Sequence, residues 1–324
     1  MTLKASNQQG ASSFIDPQAL MCIRNLELRA RAVVEGFWTG IHRSPYHGFS
    51  VEFTEYRQYT SGDDLRHLDW RVYGRSDRFF IKKFEDETNL RCHFVVDQSR
   101  SMTYGSQSFT KAQYAATLAA TLAWFLHQQG DAVGLLTFDE GVRDFLPTKH
   151  RLGHLRLVID SLQKPASGTG TDLTVPLEQV AMLLRKRGMV VLISDFLAPI
   201  NQLERALSRV TAGRHEVVVF QVLDPAELRF PFESATVFED IETGRTLFID
   251  PASARKRYLE QFNAHNEALR RLCEKLGIAY QQLVADAPLE LALYGFLQQR
   301  RSRGRRGRPS QRGAEGALPK GTGS

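Results

Sequence analysis

Residues 92–101 read CHFVVDQSRS, and this stretch decides the fold class. Its first half is apolar and ends in two valines, which predicts a buried strand. Its second half is polar and predicts a loop at the carboxyl end of that strand. Short apolar runs continue to alternate with amphipathic stretches of roughly 12–20 residues, a pattern typical of β-α-β crossovers. We therefore predict an α/β fold with a mostly parallel sheet flanked by helices.

The bounds of the predicted elements follow from this periodicity. Strands are predicted over residues 92–96, 132–138, 142–145, 189–194, 216–223 and 278–284. Helices are predicted over residues 110–129, 150–162, 173–186, 200–211, 251–276 and 289–299. Between residues 224 and 250 the alternation stops, and the sequence ETGR at residues 242–245 predicts a hairpin turn.

Composition divides the chain into four parts. In the second part, Asp16 is predicted to cap a helix over residues 16–35, with Pro17 in its first turn. The four parts are a polar, disordered N-terminus (1–15), an N-terminal extension with this helix and short strands (16–88), an α/β domain with a β-rich insertion near 224–250 (89–299), and a basic, disordered tail (300–324).

The charge is unevenly distributed along the 324 residues. The chain has 42 Lys and Arg against 36 Asp and Glu, a net charge of +6, but eight basic residues and one acid lie at or beyond Arg300. The rest is close to neutral, which argues against a nucleic-acid enzyme with a basic working face. The tail has two interpretations: electrostatic attachment to nucleic acid or anionic lipid, or a solubilising end.

Cysteine usage and hydropathy bear on the compartment. Cys22, Cys92 and Cys273 lie far apart, so the sequence offers neither a disulfide framework nor a zinc knuckle, and a reducing cytoplasm is expected. The N-terminus lacks the apolar core of a signal peptide. The uncharged stretch over residues 112–130 contains Gln and His and is too short to span a bilayer, so no transmembrane segment is predicted.

Five oxygen-bearing side chains lie in loops that follow predicted strands. Asp97, Ser99 and Ser101 follow the first strand, whereas Thr171 and Asp195 lie in later loops. Because the carboxyl ends of parallel strands share one edge of the sheet, we expect these side chains to converge there. An all-oxygen set with two carboxylates favours a hard cation, Mg²⁺ rather than Zn²⁺, and the sequence does not separate Mg²⁺ from Mn²⁺ or Ca²⁺.

Two alternatives at this site stay open. The two aspartates can instead cap helices while the serines satisfy the backbone of their loops. Thr169 competes with Thr171 as the loop ligand. Thr171 is preferred because the Thr-Asp-Leu sequence at residues 171–173 leads directly into a predicted helix.

The five positions resemble the metal-ion-dependent adhesion site of von Willebrand factor type A domains, where Asp-x-Ser-x-Ser, a loop Thr and a later Asp bind the ion. The preceding segment resembles the bacterial family called domain of unknown function 58, whose members carry such a block ahead of a von Willebrand type A-like domain. The similarity extends from about residue 36 to residue 223, with one departure at Gly74, where the family usually has Ala. The block reads GIHRS (40–44), GFSVEF (48–53), EYRQY (55–59), GDDLRHLDW (62–70) and KKFEDE (82–87).

Polar residues of that block are candidates for a structural network. We predict that Arg–carboxylate pairs fix the segment to the core, because bidentate pairs have rigid geometry. A metal or acid–base centre built on His42, His47 and His67 is the alternative, but no His-x-x-x-His or His-Glu-x-x-His spacing supports it. The family-motif residues are Arg57, Gly62, Asp63, Asp64, Arg66, Asp69 and Trp70.

The resemblance implies a partner class and a function. Family members are typically encoded beside MoxR-type AAA+ ATPases and are suspected to act as adaptors or co-chaperones in complex assembly. The resemblance therefore implies a non-catalytic, metal-dependent protein-binding module. Its open metal position would accept an acidic side chain from the ATPase or from a client.

Enzymatic functions find little support in the motifs. The chain has no P-loop and no Gly-x-Ser-x-Gly elbow, and the loop at Gly168 and Gly170 lacks the third Gly of a dinucleotide site. A haloacid-dehalogenase-type phosphatase requires a carboxylate two residues after Asp97, where Ser99 stands. The remaining enzymatic alternative is a metal-dependent hydrolase that uses the same ion as Lewis acid, with Asp172 as general base.

Overall fold

The computed structural model describes residues 14–43, 55–58, 80–83, 90–166, 173–184, 186–233, 236–239 and 246–306. The strands are β1 (Glu55–Gln58), β2 (Phe80–Lys83), β3 (Arg91–Asp97), β4 (Ala132–Phe138), β5 (Val142–Lys149), β6 (Met189–Ser194), β7 (Glu216–Leu223), β8 (Thr236–Glu239), β9 (Thr246–Ile249) and β10 (Ala279–Val284). The helices are α1 (Pro17–Met21), α2 (Leu26–Arg43), α3 (Lys111–Gln128), α4 (Leu152–Leu162), α5 (Thr174–Leu183), α6 (Ile200–Ala212), α7 (Pro225–Arg229), α8 (Pro251–Lys275) and α9 (Leu289–Arg306), with a 3₁₀ helix at Arg100–Thr103.

Six strands form the central sheet, in the order β10-β7-β6-β3-β4-β5. All neighbours are parallel except β5, which pairs antiparallel with β4 at one edge. Two further antiparallel pairs, β1 with β2 and β8 with β9, are separate from this sheet. Because β3 and β6 are neighbours, the segments that follow these two strands lie side by side.

Burial explains why apolar runs form the inner strands. In β3, β4, β6 and β7 almost every residue is buried, because helices cover both faces of the sheet. Phe94 packs in a cluster with α2, α3, α4 and α9, whereas the adjacent Val95 packs in a cluster with α5, α6 and α8. The edge strand β5 alternates half-buried and exposed residues. The predicted α/β fold class is confirmed.

The first predicted helix is two helices. Asp16 caps α1 by accepting a hydrogen bond from Gln18 N. The helix then breaks, and Asn25 Oδ1 accepts a 3.0 Å bond from Leu28 N at the start of α2. A side-chain acceptor at this position begins a new helix, so α1 and α2 replace the single helix predicted over residues 16–35.

The first described residues of the chain contact α9. Residues 1–13 lie outside the described residues, but Ile15 N donates a 2.9 Å hydrogen bond to Glu290 Oε1. Helix α9 continues to Arg306, so the first part of the predicted disordered tail is helical, and residues 307–324 lie outside the described residues.

The insertion between β7 and α8 contains the predicted hairpin, β8 with β9, although its turn lies outside the described residues. It begins with the short helix α7, which the sequence does not predict. Asp224 caps α7 by accepting a 2.8 Å bond from Ala226 N. Among the described helices, none combines the length and the apolar character needed to span a bilayer.

Candidate metal site at the carboxyl edge of the sheet

Two neighbouring strands bring the predicted aspartates to one edge of the sheet. Asp97 is the last residue of β3, and Asp195 directly follows β6. The parallel register pairs Val96 with Ile193, which sets Asp97 beside Ser194. Ser194 Oγ donates a 2.6 Å hydrogen bond to Asp97 Oδ2. This hydroxyl, which the sequence pattern predicts only as the end of a strand, is therefore part of the site.

The loop after β3 folds back onto Asp97. Ser99 N donates a 2.8 Å hydrogen bond to Asp97 Oδ1. Ser99 Oγ and Ser101 Oγ lie 3.2 Å apart. Asp97 and Ser99 are buried and Ser101 is half-buried. The structure thus gathers these three predicted ligands beside the end of β6.

The electrostatics of Asp97 indicate a surplus of negative charge. Burial, and next the charge of Asp195, raise the pKa of Asp97 to about 7, although hydrogen bonds from Ser194 and Ser99 lower it. Two buried carboxylates that repel each other in this way are stabilised by a cation. Carboxylate and hydroxyl oxygens are the donors that Mg²⁺ and Ca²⁺ prefer, so these residues fit a hard divalent ion.

Hydroxyl groups are essential to this arrangement. Within the described residues, no group of three or more His, Cys, Asp or Glu side chains is placed to hold a metal. The candidate site has two carboxylates, Asp97 and Asp195, and its other oxygens come from serines. The described residues therefore do not form a zinc-type or an all-carboxylate centre.

A buried lysine, which no sequence motif predicts as part of the site, lies beside Asp195. Lys111 is the first residue of α3, and only 1% of its side chain is exposed. Its Nζ donates hydrogen bonds of 2.8 Å to Asp195 Oδ2 and 2.7 Å to Glu227 Oε1. Burial alone would lower the pKa of Lys111, but the charges of Asp195 and Glu227 raise it above its ordinary value. The signal in the sequence is one Lys at the start of an otherwise uncharged helical stretch.

The second carboxylate bound to Lys111 is held by the capping box of α7. Glu227 Oε2 accepts a 2.7 Å hydrogen bond from Asp224 N. Asp224 in turn accepts bonds of 2.8 Å from Ser106 N and 2.5 Å from Ser106 Oγ. Burial raises the pKa of Glu227, and the charge of Lys111 opposes that rise. Hydrogen bonds therefore connect the loop after β3, through α7 and Lys111, to Asp195.

The backbone after β6 is strained at Phe196. This buried residue has a φ of 53°, in the left-handed region that residues other than glycine avoid. Phe196 N donates a 3.0 Å bond to Ser194 Oγ, and Leu197 N donates a 3.3 Å bond to Asp195 Oδ1. Gln221 Nε2 donates a 2.9 Å bond to Asp195 O. These bonds fix the direction of the Asp195 carboxylate and maintain the strain.

A cleft of about 530 Å³ opens beside Asp97. It is bounded by the start of α2, the first turn of α3 and the segment after α4. Its cationic side chains are Arg24, Arg29 and Lys164. Lys164 is paired with Asp144, but Arg24 and Arg29 have no carboxylate partner within the described part of the chain. The basic side chains of this cleft suit an anion, and Asp97 is the one described candidate ligand that lines it.

Arg57 lies in β1, where it pairs with Ile81 of β2. The roles predicted for the remaining candidates stay predictions. Those outside the described residues are Gly62, Asp63, Asp64, Arg66, Asp69, Trp70, Thr169, Thr171 and Asp172.

Two solved structures are similar to this chain over about two thirds of its length. An aerotolerance-related membrane protein from Bacteroides fragilis is 15% identical with a TM-score of 0.45, over 66% of this chain and 99% of that protein. The von Willebrand factor domain of the type V pili tip protein Mfa5 from Porphyromonas gingivalis is 14% identical with a TM-score of 0.35, over 70% of this chain and 97% of that domain. The α/β domain of this chain, with its mostly parallel six-stranded sheet, is established by its own strand order.

Sequence comparison extends over most of the chain. The uncharacterised protein Rv1480 of Mycobacterium tuberculosis H37Rv is 32% identical over 292 residues, which cover 88% of this chain and 91% of that protein. The family described as protein of unknown function DUF58 matches residues 55–268. On both grounds the chain belongs to the DUF58 family.

Proposed function

We propose that this protein is a non-catalytic, metal-dependent protein-binding module. In this proposal Asp97, Ser99, Ser101, Thr171 and Asp195 hold Mg²⁺, and an acidic side chain of a partner completes the coordination. The observation that carries the proposal is a pair of carboxylates at an edge lined by hydroxyls, where burial and next their mutual repulsion raise the pKa of Asp97 to about 7. A divalent cation relieves such repulsion and prefers such donors.

A binding function requires positioning more than reactivity. When bound, the ion would supply a Lewis-acidic position that favours a carboxylate oxygen. The chain's own residues orient the two carboxylates: Ser194 and the Ser99 amide bind Asp97, and the Leu197 amide binds Asp195. Both are therefore held in place before a ligand arrives, which lowers the entropic cost of binding.

The cleft beside Asp97 supports a partner of acidic character. Arg24 and Arg29 line it without a carboxylate partner among the described residues. An acidic segment in the cleft would pair with these guanidinium groups and bring one carboxylate to the metal. We propose that the partner is a MoxR-type AAA+ ATPase or its client, met in the cytoplasm, as the family resemblance implies.

A pull-down of a purified MoxR-type ATPase by the immobilised full-length chain tests this proposal. We expect capture in Mg²⁺ and its loss in EDTA, because the chelator removes the ion that bridges the two proteins. Asp97→Ala should lose capture as well, since it removes one of the two carboxylates. Asp160→Ala changes an exposed aspartate of α4 and should retain capture. Equal capture with and without chelator would contradict the proposal.

A further inference from the structure

We infer that Lys111 and Glu227 form a built-in charge regulator of the metal site. In this inference the Lys111 ammonium competes with the divalent ion for the charge of Asp195, and Glu227 weakens that competition. The inference rests on the proposed function, because it assigns the regulation of the same site. Neither residue belongs to the predicted ligand set, so both are positioning residues.

The first step is the position of the ammonium. Lys111 Nζ lies 2.8 Å from Asp195 Oδ2 and 2.7 Å from Glu227 Oε1, so the two carboxylates share it almost equally. The side chain of Lys111 is 1% exposed and that of Glu227 is 14% exposed. Water cannot readily replace either partner at this depth, so the ammonium acts on both carboxylates at close to its full strength.

The second step is that Glu227 fixes the ammonium from the side of α7. Glu227 Oε2 is bound by Asp224 N, and the Asp224 carboxylate is bound by Ser106 N and Oγ. These contacts involve none of the predicted metal ligands. Lys111 therefore stays beside Asp195 when an ion binds, and the ion meets a positive charge that is already in place.

The third step is the net charge of the cluster. The carboxylates of Asp97, Asp195 and Glu227 together with the Lys111 ammonium carry a net charge of −2 when all four are ionised. At separations of a few ångström in a partly buried site, one unit of charge changes the affinity for a divalent ion by about tenfold or more. Lys111 thus keeps Mg²⁺ binding weaker than the bare carboxylates would give, and a weakly held ion allows a partner to be released.

Calorimetric titration of the full-length chain with MgCl₂ tests this inference through variants that change only the cluster charge. Lys111→Met brings the net charge to −3, and Mg²⁺ should bind about tenfold or more tightly than in the wild type. Glu227→Gln brings it to −1 and should weaken binding by a similar factor, about tenfold or more. The double variant restores −2 and should bind within about twofold of the wild type.

The double variant also protects the test against misfolding, because it removes both partners of a buried ion pair together. Circular dichroism establishes that each variant is folded. Lys275→Met and Glu204→Gln make the same substitutions in an exposed ion pair of 2.7 Å, and they should leave Mg²⁺ affinity unchanged.

Two failures are distinguishable. If the wild type binds Mg²⁺ but Lys111→Met and the double variant both bind it more weakly, Lys111 only supports the fold. That result overturns the regulator and leaves the proposed function standing. If the wild type gives no heat of Mg²⁺ binding, the proposed function and the regulator are both overturned.

Discussion

Two buried aspartates lie at opposite edges of the same sheet, and each is 2% exposed. Asp131 directly precedes β4, and it accepts hydrogen bonds of 3.1 Å from Arg300 and 3.2 Å from Leu90 N. Asp195 directly follows β6, and it accepts a 2.8 Å bond from Lys111. Each aspartate therefore meets one cation, yet the surroundings of the two pairs differ.

At the edge that holds Asp131 the charges balance, because the Arg300 guanidinium faces this one carboxylate and joins α9 to the sheet. At the second edge Lys111 also binds Glu227, and the charge of Asp195 acts on Asp97. Two carboxylates thus share one ammonium, and a third, that of Asp97, is repelled by one of them. A balanced buried pair is a structural contact, whereas surplus negative charge marks a place where a cation binds.

The difference between the two edges is tested most strongly by replacing one aspartate at each edge with asparagine. For Asp97→Asn we expect Mg²⁺ affinity to fall by about 100-fold or more, because the ion loses a charged ligand. In EDTA the same variant should have a higher free energy of unfolding than the wild type, since the raised pKa of Asp97 shows that its charge is unfavourable in the folded protein. Calorimetry and urea unfolding at pH 8 measure the two effects.

Asp131→Asn is the matched variant at the opposite edge. Burial raises the pKa of Asp131 although Arg300 lowers it, so its charge adds little stability and the free energy of unfolding should change by less than about 1 kcal/mol. Mg²⁺ affinity should not change. A drop in Mg²⁺ affinity for Asp131→Asn, or an unchanged affinity for Asp97→Asn, would show that the two edges do not divide into a structural and a binding one.

The backbone of the candidate site is more predictable from sequence than its charge network. Strands β4, β6 and β7 have the predicted bounds, because a run of apolar residues ends where the chain leaves the covered sheet. Asp97 is the last residue of one buried strand, and Asp195 directly follows another. Their approach then depends only on β3 and β6 being neighbours in a parallel sheet, which the α/β pattern favours.

The charge network depends on packing that periodicity does not encode. Lys111 is separated by 116 residues from Glu227 and by 84 from Asp195. The sequence shows only a lysine at the start of a helix and a glutamate in a five-residue helix that is too short to predict. The break between α1 and α2 is similarly local, since a single asparagine side chain begins the second helix.

A change of pH also distinguishes the two edges, because the contributions of His93 and Asp97 to the free energy of unfolding change in opposite directions as pH falls. Burial, with the charges of His215 and Arg91, lowers the pKa of His93 in β3 from 6.5 to about 4. The unfolded chain then binds a proton that the folded protein does not, so the His93 contribution to stability is lost as pH falls from about 6.5 to about 4. Asp97, whose pKa is raised to about 7, contributes the opposite slope.

His93→Gln should therefore remove part of the acid sensitivity. We expect the difference between the free energies of unfolding at pH 7 and pH 4.5 to shrink by about 2 kcal/mol. The comparison is made in the Asp97→Asn background, in EDTA, so that the titration of Asp97 does not mask that of His93. Urea unfolding at the two pH values measures it. An unchanged difference would mean that His93 is protonated in the folded protein.

The smallest expected effect concerns backbone strain at the two edges. Phe196 at the site edge and Arg214 just before β7 at the opposite edge have φ angles of 53° and 56°. The left-handed conformation costs an L-residue about 1–2 kcal/mol, more than the roughly 0.5–1 kcal/mol that glycine loses in conformational freedom. Because the Arg214 side chain is exposed, Arg214→Gly should raise the free energy of unfolding by about 0.5–1 kcal/mol and leave Mg²⁺ affinity unchanged.

Arg205→Gly provides the control, since Arg205 is exposed in α6 with helical backbone and its replacement should cost about 1 kcal/mol in urea unfolding. If both variants lose stability, the strain at Arg214 is not relieved by glycine. If Arg214→Gly alone raises the free energy of unfolding, the backbone strain at Arg214 can be removed without harm to the fold. At Phe196 the buried ring and the bond from Leu197 N to Asp195 oppose the same relief, so strain there persists together with the orientation of a carboxylate.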